Sequence, residues 1–483
     1  MNRKGIDPPV DQGMSPLVSE GMSPHENAAD TRGHDGSGGH DGSGGYDGGH
    51  DGPGGYESSQ ATESQPADTH SCSKDAAASK RRRPLLVRNR DFARVWGAQL
   101  LSQSATRMYQ MAALWWLLGK AAAGERGLAS GILLACAALP PVLCAPVIAR
   151  AIARHPSRGV LRSSVSAAAV LAAAIAAYAA SAEVPMPVVY PVMLGLATCQ
   201  ALFDPCLSKA IPELVDDADI EDATAFEQST FSLVGMAGAL LGAALVDHVG
   251  LAGVAATGTM AYLGAALLVT RARFSPLAGT DDEERQGGLG RTWRLLADLP
   301  FIRLALICFA VANFFITATF LILPLYTKNV LDAPALTLGL LEGSLWLGML
   351  LGIFTGNRLP GAPGHVGATC IALFGAALVL PGLVADRGLF VACLIVAGWA
   401  VGATNVVFVA LFQRSVPTAA KPAFFSAMLG LLGASFPLAS LIFGLVGDVV
   451  SAQTLCLTQA VGLLPIAAVL FARVRSSARP DAP

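Results

Sequence analysis

Charged residues are scarce in this sequence. Asp, Glu, Lys and Arg make up 14% of its 483 residues, whereas they make up roughly 25% of a typical soluble globular protein. That scarcity argues against an ordinary soluble enzyme. The charges that are present nearly cancel, to a formal net charge of -2, so the sequence also lacks the basic excess with which proteins bind phosphate backbones. We therefore expect no nucleic-acid partner.

Motifs that hold nucleotides and metals are missing as well. The sequence contains no Gly-x-x-x-x-Gly-Lys-Ser/Thr loop, whose backbone amides would cradle phosphates, and this absence argues against nucleotide-driven activity. Its nine cysteines include no Cys-x-x-Cys pair, and eight of them lie inside apolar runs, where cysteine is typical of small apolar packing residues. We expect neither a cofactor nor a resident metal.

Residues 1–84 differ from everything that follows them. They are rich in Gly, Ser, Asp and His, contain almost no aliphatic runs, and repeat a crude six-residue unit from His34 onward. Such a segment cannot bury enough apolar surface to offset the conformational entropy that folding removes. We predict a disordered cytoplasmic tail over residues 1–84.

Long apolar runs fill the rest of the chain. A helix needs about 20 apolar residues to cross a bilayer, and twelve such runs follow residue 91. They predict an all-α integral membrane protein with two six-helix bundles, at 85–270 and 301–475, a cytoplasmic linker at 271–300 and a short tail at 476–483. The twelve predicted spans are 92–119, 128–149, 163–182, 186–207, 224–246, 251–270, 301–327, 336–356, 365–385, 389–412, 423–446 and 454–472.

The positions of Lys and Arg predict the orientation of the chain. Loops on the cytoplasmic side carry the excess of these residues. If the N-terminus is inside, the inner breaks hold many basic residues, and the outer breaks hold only Lys120, Arg126, Lys328 and Arg387. We therefore expect a multi-pass protein of the inner (plasma) membrane with both termini in the cytoplasm.

The two predicted bundles show traces of an internal repeat, as transporters often do. Phe92-Ala93-Arg94 and Phe301-Ile302-Arg303 open the two bundles with an offset of 209 residues. The segments 215–247 and 416–448 each run from a polar loop through a Gly/Ala-rich span to a terminal Asp, with an offset of 201. The pattern favours two related six-helix units.

Several segments resemble the major facilitator superfamily, in particular its macrolide-efflux-type and enterobactin-exporter-type branch. The likeness covers about residues 85–475. The segments that carry it are Leu86-Val87-Arg88-Asn89-Arg90-Asp91-Phe92 leading to 102–108, Ala201-Leu202-Phe203-Asp204-Pro205 with 212–215, Leu338-Gly339-Leu340-Leu341-Glu342-Gly343, and Leu411-Phe412-Gln413-Arg414-Ser415-Val416-Pro417 through 426. The resemblance implies the major facilitator fold and transport.

The sequence departs from the family's pattern in its loop motif and in its fifth-helix motif. The loop motif Gly-x-x-x-Asp-Arg-x-Gly after helix 2 is reduced here to 145–150, and its counterpart after helix 8 also lacks the Asp, although Arg150 and Arg358 remain. The family's fifth-helix antiporter motif has Ala239 in place of Pro. We predict an inner gate formed by Arg150 and Arg358, to which we add Arg414 and Asp204 near the inner ends of spans 10 and 4.

Arg107 is the clearest functional candidate, because an ionisable group inside a span is costly and usually serves a function. Gln99, Gln103, Arg107 and Gln110 recur at spacings of 4, 4 and 3, which places them on one helix face. We predict that this stripe lines a substrate cavity. The alternative is that Arg107 pairs with a neighbouring helix and only holds the bundle together.

Glu342 is the candidate for proton coupling. It lies some seven residues into the eighth span among Leu and Gly residues, about 10 Å deep at 1.5 Å per residue. A carboxyl group in such surroundings can take up and release a proton near neutral pH, as coupling requires. The alternative is a structural role, as a partner of Arg107 or as an interhelical hydrogen-bonding group. Further hydrogen-bonding candidates for a polar substrate are Asn313, Asn405 and Gln413.

The sequence thus favours a secondary active transporter that exports a small organic molecule, such as a drug, an antibiotic-like natural product or a siderophore, by alternating access. An efflux antiporter of this kind, of a class linked to antibiotic resistance, would act as a monomer in the lipid bilayer and draw on the proton gradient. The alternatives are an importer or uniporter of a small metabolite and, less favoured, a membrane sensor. A membrane enzyme is disfavoured, because the acidic cluster at 216–222 falls in the family's variable polar loop.

Overall fold

The computed structural model describes residues 85–122, 124–274, 300–356 and 358–477. The predicted tail at 1–84 lies outside these ranges, as do residues 275–299 of the predicted linker and residues 478–483. All regular secondary structure within the described residues is helical. The all-α fold class predicted from the apolar runs is therefore confirmed.

The described residues form a bundle of twelve helical spans. Ten helices among the described residues are long and apolar enough to cross a membrane. One of them bends at Gly250, whose φ of +63° is left-handed backbone that favours glycine, so it supplies two spans. The first helix, Arg90–Lys120, is too polar to be counted among the ten, but its 31 residues make it long enough to cross as well.

We number the spans 1 to 12 in chain order. The N-terminal half consists of the short helix Leu85–Arg88, Arg90–Lys120 (span 1), Arg126–Leu143 with Ala145–Arg154 (span 2), Ser157–Ser181 (span 3), Met186–Leu214 (span 4) and Ile220–Arg271 (spans 5 and 6). The C-terminal half consists of Pro300–Thr317 with Thr319–Asn329 (span 7), Ala335–Gly356 (span 8), Pro363–Leu383 (span 9), Arg387–Ser415 (span 10), Lys421–Gly447 (span 11) and Ala452–Ser477 (span 12). Short 3-10 turns at Asp217–Asp219 and Thr418–Ala420 precede spans 5 and 11.

Several helices extend beyond the apolar runs that predicted them. Span 4 was predicted to end at residue 207, but its helix continues to Leu214. The polar residues of this last part find partners on neighbouring helices: Ser157 Oγ donates to Glu213 Oε1 (2.6 Å), and Lys209 Nζ donates to Ile152 O (2.8 Å). A prediction based on apolarity alone therefore ends such a helix too early.

The second span is divided, which the sequence analysis did not predict. Its helix stops at Leu143 and resumes at Ala145, with Pro140 and Pro141 before the break and Pro146 after it. Proline lacks a backbone N–H and its ring collides with the preceding turn. Three prolines within seven residues therefore account for the interruption.

The bundle has two distinct ends. We call the end at which the described chain begins and finishes the termini end, and the other the opposite end. At the termini end, Asn89 Nδ2 donates to Leu214 O (2.6 Å) and Arg88 forms an ion pair with Asp219. These contacts hold the start of span 1 against the segment between spans 4 and 5.

The two halves meet along two pairs of helices, spans 2 and 11 and spans 5 and 8. Small residues line both contacts. A Cβ atom at Gly131 would lie 3.3 Å from Gly444 Cα, and one at Gly339 would lie 2.9 Å from Ala243 Cβ. The backbones can approach this closely only because the residues at the contact are small.

Candidate functional site

Arg107 lies near the middle of span 1, at the boundary between the halves. Span 5 packs closely behind it, since a Cβ at Gly238 would be 3.1 Å from Arg107 Cβ. The side chain reaches towards span 8, where its Cζ lies 5.7 Å from the centroid of the Trp346 ring. Its Nη1 also donates to Gln110 Oε1 at 3.1 Å. Arg107 thus bridges the two halves through an aromatic face rather than through a carboxylate.

Glu342 approaches the same point from span 8. Its side chain is buried, with 4% exposure, and it lines one small cavity together with Arg107 and Gln110. The remaining lining is apolar and consists of Met111, Leu114, Leu134, Ala239 and Phe320. The cavity measures about 10 Å³, which is roughly the space of one water molecule.

Arg107 and Glu342 form no ion pair within 4.0 Å, and the side chain of Glu342 makes no hydrogen bond with any residue that the structure describes. Opposite charges attract strongly across a medium of low dielectric constant, but a buried carboxylate without hydrogen bonds is costly in its charged form. The arrangement can therefore hold a polar group between the two side chains or exchange a proton at the carboxyl group.

A second, larger cavity extends from this point towards the termini end, between spans 1, 2 and 4. Its volume is about 380 Å³, within the range of roughly 300–1,000 Å³ that is usual for small-molecule pockets. Thr106, Gln200 and Asp204 supply polar groups to its otherwise apolar wall, and Gln110 lines both cavities. Gln110 therefore stands between the larger cavity and the two charges.

The rest of the polar stripe on span 1 belongs to a network inside the N-terminal half. Gln103 Nε2 and Gln200 Nε2 both donate to Asp204 Oδ1, at 3.0 and 2.6 Å. The hydroxyl groups of Thr106 and Tyr262 are 2.8 Å apart. The structure thus divides the stripe, with Arg107 and Gln110 at the cavity between the halves and Gln103 tied to span 4.

Gln99 completes the stripe at its termini side. It is buried, and neither polar atom of its side chain has a hydrogen-bond partner among the described residues.

The three polar candidates of the C-terminal half do not gather around Arg107. Asn313 Nδ2 donates to Leu432 O (3.2 Å) and so joins span 7 to span 11. Asn405 is half-buried within span 10, and Gln413 is exposed near the end of that span. None of the three lines the cavity of Arg107 and Glu342, and their role in binding a substrate stays a prediction.

The predicted gate residues lie in two different settings. Arg150, Arg358 and Arg414 are exposed at the termini end, and no side chain of the three makes a hydrogen bond or ion pair with a described residue. Asp204, by contrast, lies inside the N-terminal half, where its partners are the two glutamines. In this conformation the three arginines are free to pair with other groups.

Trp346, Gln200 and Phe320 lie near these sites but were not predicted from the sequence. Trp346 follows Glu342 by four residues and Gln200 precedes Asp204 by four, so each lies one helical turn from a predicted residue on the same face. That spacing was a usable signal. Phe320 gave no comparable signal, because it reaches the cavity through the packing of span 7.

Comparisons with known proteins agree with this architecture. The model of the Major Facilitator Superfamily matches residues 95–363. A comparison with curated protein sequences found no match.

Solved transporter structures resemble the whole bundle. A bacterial homologue of the human lysosomal transporter Spinster, inward-facing and unoccupied, is 14% identical with a TM-score of 0.59. A bacterial homologue of the iron transporter ferroportin in an inward-facing state is 14% identical with a TM-score of 0.60, and the POT family transporter PepTSo is 13% identical with a TM-score of 0.60. Each comparison covers 81% of this chain and 99% of the other. At this identity the likeness shows the shared fold alone.

Proposed function

The chain belongs to the major facilitator superfamily, and from this premise we propose that it is a proton-coupled secondary transporter that exports a small organic molecule by alternating access. One observation carries the proposal: Arg107 and Glu342, from different halves of the bundle, line the same small cavity. In a transporter that works by moving its halves against each other, a site shared by both halves is exposed to one side or the other as they move.

The dimensions of the two cavities suit one stage of such a cycle. The cavity between the charges has room for about one water, so it admits no organic substrate in this conformation. The larger cavity leads from it towards the termini end. A substrate would enter from the termini end, pass Gln110 and separate Arg107 from Glu342.

The chemistry of the lining favours a bulky amphiphile. Most of the residues around the two charges are aliphatic or aromatic, so they would bury the apolar body of a substrate. Arg107 has one hydrogen-bond partner, Gln110, among the described residues, and a guanidinium has five N–H donors. The remaining donors would bind an acceptor group of the substrate.

Glu342 is the proposed site of proton coupling. A carboxyl group that is protonated in the closed cavity can release its proton when the cavity opens to the cytoplasm and regain one from the other side. The proton then moves inward as the substrate moves outward. The direction rests on the basic residues that assign the termini end to the cytoplasm and on the resemblance to exporters.

Transport is tested by expressing the chain in a host that lacks its own efflux pumps and measuring the accumulation of a panel of toxic compounds and siderophores. We expect at least one compound to accumulate less when the protein is present and energised. Arg107→Ala should restore accumulation, whereas Arg303→Ala, which changes an exposed arginine outside the cavity, should not. Equal accumulation across the panel, with membrane insertion confirmed, would contradict export.

A further inference from the structure

Spans 2 and 11 are joined at the opposite end by hydrogen bonds to a single carboxylate. Asp448 follows the last helical residue of span 11. Its Oδ1 accepts a hydrogen bond from Gly127 N (2.6 Å), and its Oδ2 accepts one from Leu128 N (2.9 Å). Both donors lie in the first turn of span 2, which belongs to the other half of the bundle.

A second carboxylate makes the corresponding contact between spans 5 and 8. Asp247 lies near the end of span 5, three residues before the bend at Gly250. Its Oδ2 accepts a hydrogen bond from Leu336 N (3.3 Å), in the first turn of span 8. Here the N-terminal half supplies the acid, and the C-terminal half supplies the amide.

The two contacts are equivalent under the internal repeat of the sequence. Asp247 and Asp448 are separated by 201 residues, the offset of the repeated segments that end in them. The amide donors Gly127 and Leu336 are separated by 209 residues, the offset at which the two bundles begin. Because the acids and the amide donors repeat with the same offsets as the two halves, we attribute the two contacts to the duplicated fold and not to chance.

We propose that Asp247 and Asp448 form a paired acidic latch that holds the opposite end of the bundle closed. The first amides of a helix have no partner within the helix, and their dipoles favour a nearby negative charge. Each carboxylate satisfies those amides on the helix of the other half. Opening this end breaks both contacts together, and water replaces them, so the latch biases the closed state without making it permanent.

Other contacts at the same end fit this arrangement. Arg126 Nη1 donates to Asn329 Oδ1 (2.7 Å), which joins span 2 to span 7. Lys328 Nζ lies 5.1 Å from the centroid of the Trp115 ring, which joins span 7 to span 1. A Cβ at Gly127 would collide with Gly444 O and would lie 2.9 Å from Asp448 Oδ1, so the close contact of spans 2 and 11 at the latch requires glycine there.

The latch deepens the proposed alternating-access function and rests on it, but its test needs no substrate. Spin labels introduced as noncanonical amino acids, with the native cysteines kept, would report distances by pulsed electron paramagnetic resonance in lipid nanodiscs. One label pair, at Glu125 and Val449, spans the opposite end. A second pair, at His155 and Ser415, spans the termini end, and all four positions are exposed.

We expect Asp448→Ala and Asp247→Ala each to raise the ratio of open to closed opposite ends about fivefold, since loss of a helix cap has an effect of this order. The distances at the termini end should shorten in the same samples. Asp448→Asn, which keeps one acceptor oxygen, should give an intermediate ratio. Gly127→Ala should shift the ratio in the same direction, because its Cβ would push away both the backbone of span 11 at Gly444 and the Asp448 carboxylate.

Asp386→Ala is the matched control. Asp386 also caps a helix at the opposite end, but its Oδ1 accepts from Leu389 N within its own half (2.7 Å), so its removal should leave both distances unchanged. The proposal is overturned if the latch variants, shown to be folded by their melting temperature, keep the wild-type distances or change them no more than Asp386→Ala does. If the protein transports substrate but the latch variants keep the wild-type distances, the latch is overturned and the proposed function is not. If the latch variants change the distances but the protein transports none of the compounds, the result counts only against the proposed function.

Discussion

The two halves of the bundle place opposite charges in unlike surroundings. Arg107, in the N-terminal half, donates to Gln110 and lies beside a network in which two glutamines bind Asp204. Glu342, in the C-terminal half, is buried and has no hydrogen-bond partner among the residues that the structure describes. The charged side chain of one half therefore has a hydrogen-bond partner in its own half, whereas that of the other half has none among the described residues. This difference is the basis on which we propose Glu342, and not Arg107, as the group that exchanges a proton.

The largest effect on transport should come from removing the guanidinium group of Arg107. Arg107→Ala deletes the guanidinium that we expect to bind the substrate, and loss of charged hydrogen bonds of about 3 kcal/mol corresponds to roughly a hundredfold loss of transport. Initial rates of efflux from loaded cells would measure it. Arg107→Lys, which keeps the charge but loses the planar fork, should retain part of the activity. Wild-type rates in Arg107→Ala would contradict the assignment of the substrate site.

Replacing Glu342 should separate transport against a gradient from exchange of substrate for substrate. Glu342→Gln cannot exchange a proton, so we expect it to lose accumulation of substrate against a gradient and to keep exchange of substrate for substrate. Both are measured in proteoliposomes with an imposed pH gradient. Glu227→Gln is the matched control, since Glu227 is a buried glutamate of span 5 that accepts from Ser208 and does not line the cavity. Uphill transport by Glu342→Gln at the wild-type rate would count against coupling at this residue.

The sequence allowed the spans to be predicted because the bilayer imposes their length and apolarity. It also singled out Arg107 and Glu342, because ionisable residues stand out within apolar runs. It could not show that Arg107 and Glu342 line one cavity. They are 235 positions apart in the chain, and their proximity depends on the packing of spans 1, 5 and 8. Likewise, nothing in the sequence around Asn313 indicates that its amide binds Leu432 O in another span.

Helix ends show the same limit. The polar residues in the last part of span 4 are typical of a loop, yet they form helix because Glu213 and Lys209 have partners on neighbouring helices. The repeat that places Asp247 and Asp448 at matching positions was visible in the sequence, but the helices that they cap became known only from the structure. The periodicity of a sequence shows which residues share a face of one helix. It does not show which faces of different helices pack together, and a site between the two halves depends on that packing.

A smaller effect, on stability rather than transport, is expected from the network of the N-terminal half. Asp204→Ala leaves the side-chain amides of Gln103 and Gln200 without their common acceptor, which should lower the free energy of unfolding by about 1–3 kcal/mol. The melting temperature in detergent measures this change. Asp204→Asn keeps an acceptor oxygen and should recover most of the stability. A loss of transport without a loss of stability would instead show that Asp204 acts directly in gating or substrate binding.

The smallest effect should come from the aromatic contact that joins the halves at the site. Trp346→Leu removes the ring that Arg107 faces at 5.7 Å, and a cation–π contact of this kind contributes about 0.5–1 kcal/mol. We expect a several-fold decrease in apparent substrate affinity with the maximal rate little changed. Trp346→Phe should lose less. An unchanged concentration dependence for Trp346→Leu would exclude a role for the ring in holding the guanidinium.

We propose that movement of the substrate in one direction is coupled to movement of protons in the opposite direction, and that Glu342 is the group that binds and releases them. The most direct measurement is the change in internal pH of proteoliposomes, followed with a trapped fluorescent indicator, when substrate is added on one side without any imposed pH gradient. We expect substrate-driven proton movement in the opposite direction for the wild type and for Glu227→Gln, and none for Glu342→Gln. Proton movement by Glu342→Gln at the wild-type rate, or substrate transport by the wild type with no change in pH, would contradict it.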